Sequence, residues 1–456
     1  MLRKALDTLP STLDQTYDRI LCAISDEDSE YALRILQWLT FSARPLSLEE
    51  VAEAVAVDVT RDPAFDRDDV LEDSFEVLNI CSSLVTLTTD SERGIAGPPR
   101  QIIVLAHYSV QEYLISDRIR NGQAKAYSMH DTKCHNVITQ GCLQYLLQFQ
   151  QPNILSSYYS NTFALARYSA EFWTSHIRKT GDRVDAMSRL AMGLFSKDNY
   201  AYTNWIRLYD PDRPWRGPDL TIAREQIPSP LYYSAKLNLT TIVQLLLEAG
   251  VEVDAQGGEY GNALQVASAE GNEHIVETLL DNNAEVNAQG GEYGSALQGA
   301  SFGGHEQVVK MLLNKGAEVN VQGGEYGNAL QAASFGGHEQ VVKTLLDNNA
   351  DVNAQGGEYS NALQAASLRG NEQIVKMLLD KGAEVNAQGG EYGNALQVAS
   401  AEGHEQVVKM LLEKGAEVNA QGGEYGNALQ AASEGGHKQV VKMLLNAGAY
   451  QHQEDN

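Results

Sequence analysis

Gly257-Gly258-Glu259-Tyr260-Gly261-Asn262-Ala263-Leu264-Gln265-Val266-Ala267-Ser268-Ala269-Glu270-Gly271 opens a 33-residue unit that closes at Gln289 and is then written again and again. Tyr260 returns as Tyr293, Tyr326, Tyr359, Tyr392 and Tyr425, and Leu264 as Leu297, Leu330, Leu363, Leu396 and Leu429, each step 33 residues. The pair Leu279-Leu280 and the turn Ala284-Glu285-Val286-Asn287 keep the same phase. A fixed period of this length belongs to a stacked array in which each unit packs on its neighbours.

Each unit reads as two short helices and a projecting loop. Ala263, Leu264 and Ala267 make a small apolar stripe for an inner helix, and Gly271 breaks it. Ile275, Val276, Leu279 and Leu280 make the stripe of a longer outer helix. That helix ends at Gly316, Gly382, Gly415 or Gly448, or at Asn283 or Asn349, the two residue types that best tolerate a left-handed end. The Gln-Gly-Gly-Glu-Tyr run is a glycine-rich tip. Helices this short cannot bury their apolar faces alone, so the units must stack.

These residues resemble the ankyrin repeat. The T-P-L-H-x-A signature of that family stands here as Asn262-Ala263-Leu264-Gln265-Val266-Ala267, and in the first unit as Ser229-Pro230-Leu231-Tyr232-Tyr233-Ser234. The G-A-x-V-N turn is intact from Gly316 to Asn320. Asn in place of Thr still caps the helix. Ala replaces Pro, Gln replaces His, and Tyr occupies a hairpin position where the family usually has Gly. These departures predict a weakened local hydrogen-bond pattern. The resemblance spans seven in-phase copies, residues 227–456, and implies a mainly α solenoid that binds proteins.

The formal charge of −26 is unevenly placed. Residues 1–228 hold 31 acidic and 23 basic side chains, a balance of −8, and residues 229–456 hold 29 and 11, a balance of −18. An acidic solenoid repels phosphate, which argues against a nucleic-acid role. Cys22, Cys81, Cys134 and Cys142 lack C-x-x-C or metal-ligand spacing and read as reduced thiols. No apolar run reaches about 18 residues, and no signal-peptide core stands at the start. The expectation is a soluble cytoplasmic protein without metal, cofactor or membrane span.

Residues 1–120 read as helices followed by a β-hairpin. Leu9-Pro10-Ser11 begins a first helix, and Ala32 to Leu39 forms a second. Ser47 with Glu50 makes a capping box for a third, and Val70 to Ile80 reads as a fourth. Leu84 to Thr88 and Ile102 to Ala106 are β-like, joined by a polar Gly/Pro loop. This order describes a winged helix. It resembles the winged-helix region that follows the NACHT ATPase in fungal NLR-like proteins, also labelled after a GPI inositol-deacylase. The residues carrying the resemblance are Leu36-Gln37-Trp38-Leu39-Thr40-Phe41-Ser42, Ile80-Cys81-Ser82-Ser83-Leu84-Val85 and Leu105-Ala106-His107-Tyr108-Ser109-Val110-Gln111-Glu112-Tyr113-Leu114. The label implies no lipase, since no G-x-S-x-G occurs. In animal NLR proteins the histidine of the similar H-x-x-x-Q-E-F motif contacts the β-phosphate of bound ADP, so the resemblance makes His107 a nucleotide-sensing candidate. Its other reading is a capping histidine at a strand-to-helix junction. No G-x-x-x-x-G-K-[ST] phosphate loop is present, and Met1 falls about where the ATPase would end, so the chain reads as a truncated gene model or a relative without the ATPase. DNA reading by Val70 to Ile80 is disfavoured by Glu72, Asp73 and Glu76.

Residues 121–226 carry three further apolar helices, Val137 to Phe149, Phe163 to Ile177 and Val184 to Phe195, expected to pack as an adaptor between winged helix and solenoid. Trp173 and His176 read as core or cap. Asp210 to Pro218, with three prolines, reads as a linker.

Positions that vary between near-identical units are informative because the fold does not dictate them. At the end of the inner helix the series is Ala269, Phe302, Phe335, Leu368, Ala401 and Glu434, and Arg369 follows Leu368. In ankyrin proteins this end and the loop tips line the binding face. Phe302, Phe335 and Leu368 are then expected in a row spaced by roughly 8–10 Å, with Tyr293, Tyr326 and Tyr359 as a ladder at the tips. The opposing expectation is that the rings fold back onto their neighbours and buttress the loops. The leading function is non-enzymatic protein binding in an NLR-like signalling or scaffold protein that lacks its NTPase, with an apolar and basic partner surface. The alternative is a regulatory fragment of a NACHT ATPase whose winged helix senses ADP. A third reading is a structural spacer.

Overall fold

Ser47 and Glu50 close on each other as a capping box. The Ser47 hydroxyl accepts the Glu50 amide at 3.2 Å, and the Glu50 carboxylate accepts the Ser47 amide at 2.8 Å. They start α3 (Leu48–Ala56) of a computed structural model that describes residues 13–61, 64–90, 100–155, 162–181, 184–196 and 200–450. Ahead of it lie α1 (Leu13–Cys22), α2 (Ser29–Phe41) and β1 (Leu46–Ser47). After it come α4 (Glu76–Cys81), β2 (Val85–Asp90), β3 (Arg100–Leu105) and α5 (Tyr108–Ile115). The strands form an antiparallel sheet in the order β1-β3-β2, which completes a winged helix. The helix expected over Val70 to Ile80 begins only at Glu76. Asp66 and Asp73 take the amides of Asp68 and Phe75 at 3.0 and 2.9 Å, and such local turns compete with helix. Leu9-Pro10-Ser11 and the loop between the strands, residues 91–99, lie outside the described residues.

Five further helices follow: α6 (Asp117–Arg120), α7 (Asp131–Leu147), α8 (Ala166–Ile177), α9 (Val184–Ala191) and α10 (Ala201–Leu208). They close on the winged helix to make one unit, residues 1–224. The buried Glu53 of α3 accepts from the Tyr145 hydroxyl at 2.5 Å and the Leu165 amide at 2.9 Å, and Trp38 meets the ring of Tyr168 edge-on at 5.6 Å. The expected adaptor is thus built into the first unit. α10, unforeseen in the sequence, is held by Trp205, which packs on Trp173 at 5.6 Å and donates to the Ala170 carbonyl at 2.9 Å. The chain after α10 folds back instead of running free. Arg207 donates to the Ile222 carbonyl at 2.9 Å and accepts the Asp219 amide on its own carbonyl at 2.8 Å.

A buried chain of hydrogen bonds ties α7 to α8. Nδ1 of His135 and Nδ1 of His176 lie 2.8 Å apart, so one must be bare. His135 Nε2 faces Asp131 at 2.9 Å, His176 Nε2 faces the Tyr168 hydroxyl at 2.8 Å, and that hydroxyl takes the Ala43 amide at 2.9 Å. Protonating both rings would set two N–H groups against each other. Burial, then His135 and Lys179, push His176 down to about 3. Burial also lowers His135, against the opposing pull of Asp131. The unfolded histidines take protons near pH 6.5 and both are lowered on folding, so the stability they contribute is present above about pH 6.5 and is lost as pH falls from there, for His176 towards about 3. All four tryptophans, Trp38, Trp173, Trp205 and Trp215, lie in this unit, so their fluorescence follows its unfolding alone. The expected slope is up to about 1.4 kcal/mol per pH unit for one proton, and His176→Gln should flatten it.

Residues 225–456 form the second unit. Inner helices Pro230–Lys236, Ala263–Ala269, Ala296–Phe302, Ala329–Gly336, Ala362–Leu368, Ala395–Ala401 and Ala428–Glu434 alternate with outer helices Thr240–Glu248, Glu273–Asp281, Glu306–Asn314, Glu339–Asp347, Glu372–Asp380, Glu405–Glu413 and Lys438–Asn446. Asn262, Asn328, Asn361, Asn394 and Asn427 cap their inner helices, each accepting the amide three residues on at 2.9 Å. Neighbouring units are stitched by side chains that reach main-chain atoms. His305, His338, His404 and His437 donate through Nε2 to the carbonyls of Ala269, Phe302, Leu368 and Ala401 at 2.7–2.9 Å. Gly271 leaves room for this: a Cβ there would stand 2.3 Å from the His305 ring, and its φ is +70°. Asn320 donates to the Asn349 carbonyl at 3.1 Å and accepts the Asp351 amide at 2.8 Å, as the equivalent asparagines do along the array. Leu330 is 1% exposed in the stack. Leu330→Ala should cost about 2–5 kcal/mol in chemical denaturation followed by circular dichroism, and a loss under about half a kcal/mol would remove it from the core.

Candidate functional site

The site is built at the hairpin tips and the inner-helix ends. Gln265 reaches forward through Nε2 to the Gly290 and Gly294 carbonyls at 2.9 and 3.2 Å, which pins the next tip. Gln298, Gln331 and Gln397 make the same pair of bonds at 2.8–3.0 Å, and Gln364 bonds the Ala387 and Gly393 carbonyls at 3.2 and 3.1 Å. The expected weakening from Gln in place of His is therefore not seen, because the longer amide spans to the neighbouring loop. Once pinned, the tips join: the amides of Glu292, Glu325 and Glu358 donate to the carbonyls of Glu259, Glu292 and Glu325 at 2.9 Å. The ladder resumes from Glu391 to Glu424 at 2.8 Å. Before the resumption stands Ser360, which replaces the tip glycine and holds φ +64°.

This tight stacking sets the rings. Tyr260, Tyr293, Tyr326 and Tyr359 stand at centroid separations of 5.3, 6.0 and 6.1 Å. Phe302 and Phe335 are 6.3 Å apart, closer than the helix-packing distance expected for them. They do not form a separate row. Tyr293, Phe302, Tyr326, Phe335 and Tyr359 interleave at 5.1, 4.7, 5.5 and 4.5 Å, each Phe lying between the tyrosine of its own unit and that of the next. The expected row and the expected ladder are thus one band. Tyr326, 7% exposed, is its buried centre; Phe302, Phe335, Tyr293, Tyr359 and Leu368 are half-buried, and Arg369 is exposed. Two cations cap the rings. Lys236 Nζ lies 4.2 Å over Tyr260, and the Arg369 guanidinium lies 5.1 Å over Phe335. Neither contact was foreseen. Phe302 follows Tyr293 by nine residues, and nothing in that spacing says that a seven-residue helix returns the ring to its own tip.

Glutamates run beside the rings. Burial first, then Glu259 and Glu325, raise the Glu292 carboxyl, and burial with Glu358 raises Glu325. Burial and these carboxylates raise the tyrosines, Tyr359 to about 12.

His107 stands elsewhere, on the first unit. It caps α5: Nδ1 accepts the Ser109 amide at 3.2 Å and meets the Ser109 hydroxyl at 2.7 Å, which in turn meets the Tyr17 hydroxyl at 2.6 Å. The ring is exposed and lies 4.5 Å from the Tyr108 ring, tilted by 39°. Among the described residues no group of His, Cys, Asp and Glu is arranged to hold a metal, and no helix is long and apolar enough to cross a membrane.

The family described as ankyrin repeats (3 copies) matches residues 217–290, 290–356, 330–422 and 363–455, together more than half of the chain. The chain belongs to the ankyrin-repeat family. Ankyrin repeats are protein-interaction modules, and the winged helix of this ankyrin protein matches the GPI inositol-deacylase winged-helix domain over residues 17–126. The chain is 37% identical over 280 residues to "Azaphilone pigments biosynthesis cluster protein L" of Monascus ruber, an alignment covering 59% of this chain and 58% of that one. The solved ankyrin domain of human ASB11 is similar at 24% identity, covering 49% of this chain and 99% of that chain with a TM-score of 0.43.

The glutamate row gives a pH prediction for the ankyrin unit. A carboxyl raised on folding stabilises the fold below its unfolded titration range and loses that contribution as pH rises through the raised value. Glu325→Gln should therefore raise the denaturation midpoint at pH 7 and leave it unchanged at pH 3. A lower midpoint at pH 7 would contradict the crowding of these carboxylates.

Proposed function

We propose that this ankyrin protein is a non-enzymatic binding subunit, a scaffold or signalling component, that holds a partner protein on the Tyr/Phe band. One observation carries the reading. In units that otherwise barely vary, the end of the inner helix changes residue type, and where it is Phe the rings join the tyrosine tips in one half-exposed aromatic strip. Aromatic side chains flanked by an arginine are frequent interface anchors. The partner surface is apolar and basic, since the balance of −18 over residues 229–456 favours a cationic approach.

A second reading rests on His107. Its cap leaves the ring exposed beside Tyr108, where a NACHT-type ATPase domain could present bound ADP.

Because the rings are half-buried, Phe302→Ala with Phe335→Ala would disturb the tips as well as the surface. Phe302→Leu with Phe335→Leu keeps most of the volume, and swaps of this kind usually cost under about 1.5 kcal/mol. The double leucine variant should lose partners that the unchanged protein retains after crosslinking, with its melting transition little altered. Unchanged capture of the same partners would overturn the aromatic site. Titration of the unchanged protein with Mg-ATP should be flat, since no phosphate loop is present, and micromolar binding would favour the second reading.

A further inference from the structure

Trp215 is 75% exposed, whereas the other three tryptophans of the first unit are buried. It stands in Asp210-Pro211-Asp212-Arg213-Pro214-Trp215-Arg216, which makes two successive turns. The Asp210 carbonyl accepts the Arg213 amide at 3.0 Å, and the Arg213 carbonyl accepts the Arg216 amide at 2.9 Å. The Asp210 carboxylate takes the Asp212 amide at 2.9 Å, and the Asp219 amide ties the far side to the end of α10 through the Arg207 carbonyl at 2.8 Å. Pro214 fixes the first corner of the second turn, and Trp215 is its second corner. Arg213 and Arg216 are the feet of that turn, with Cα atoms within about 7 Å of each other. Both are exposed, and neither forms an ion pair among the described residues. A tryptophan between two arginines on a preformed turn has the make-up of an interface anchor and loses little freedom on binding.

The same unit presents the complement. Phe75, at the start of α4, is 49% exposed, and Glu72, Asp73 and Glu76 stand exposed around it. The Asp73 carboxylate accepts the Phe75 amide at 2.9 Å, which fixes the ring beside the acids. Among the described residues Trp215 and Phe75 meet no other ring and no cation, and Glu72, Asp73 and Glu76 form no ion pair. Tyr108, the unit's other widely exposed ring, already lies against His107. Because tip and patch both stay open, they do not satisfy each other within one copy. We infer that the protein associates with a second copy of itself through this pair. The Trp215 ring of each copy docks on Phe75 of the other, and Arg213 and Arg216 pair with Glu72 and Glu76. A two-fold axis makes the contact twice. Two chains of formal charge −26 repel at long range, but physiological salt screens that repulsion over about 8 Å, and the paired groups lie closer than this.

The test is sedimentation velocity of the full chain near physiological salt, from about 1 to 100 μM, since a contact of this kind is small. The unchanged protein should pass from monomer to dimer over that range. Trp215→Ala and Phe75→Ala should each weaken the dimer at least about tenfold, with the melting transition kept because both rings are exposed. Two charge-reversed variants make the test specific. Arg213→Glu with Arg216→Glu sets acid against acid, and Glu72→Lys with Glu76→Lys sets base against base, so each alone should stay monomeric. Mixed in equal amounts they should dimerise, because every tip then meets a patch of opposite sign, and a misfolded variant could not give that rescue. A monomer across the whole range would overturn the inference, as would a dimer that survives Trp215→Ala or Phe75→Ala. So would a mixture of the two reversed variants that remains monomeric.

Discussion

The glutamine amide that each unit extends to its neighbour holds this solenoid in register. An apolar stack of alanine and leucine gives energy but little direction, and two short helices could slide on it. The Gln331 amide, bonded to the Gly356 and Ser360 carbonyls at 2.8 and 2.9 Å, fixes where the next tip must lie. Histidine Nε2 does the same at the start of the outer helix, and asparagine at its end. The Ser360 carbonyl also accepts the Gly356 amide at 2.8 Å, so the Gln331 amide is its second donor, and loss of Gln331 removes the side-chain bond to the Gly356 carbonyl. The tip ladder of glutamate amides follows from that registration.

The surface follows from the ladder. Tips held this close force the tyrosines into stacks at 5.3–6.1 Å and bring the phenylalanines between them. The same closeness crowds Glu259, Glu292 and Glu325, so apolar rings and under-compensated acids share one edge. Lys236 opposes the crowding at one end, where it acts on Glu292, and Arg369 covers Phe335 at the other.

Much of this fold can be read in the chain itself. The 33-residue period, the Asn caps, the left-handed ends at Gly316 and Asn283 and the Ser47–Glu50 box are local, and local chemistry decides them. The apolar pattern from Val70 overstates the fourth helix because it runs through Asp73, whose side chain takes the Phe75 amide and turns the backbone. Helix Ala201–Leu208 was missed because its order depends on Trp173, distant in sequence. The same holds for His135 with His176, which meet only when α7 packs on α8. The candidate residues Phe302, Phe335, Tyr293, Tyr326 and Tyr359 could be picked out by variation and period. Their fusion into one band could not, since it depends on how far neighbouring units close.

The claim that the glutamine bond organises the array can be tested with two substitutions of the same residue type at the same place in the repeat. Gln331 is buried and bonded to the following tip, whereas Gln430, in the last described unit, is exposed. Chemical denaturation of Gln331→Ala should show a loss of about 1–3 kcal/mol. Gln430→Ala should change stability by less than about half a kcal/mol. Equal losses from the two variants would mean that the units are held by apolar stacking alone, and would contradict this account.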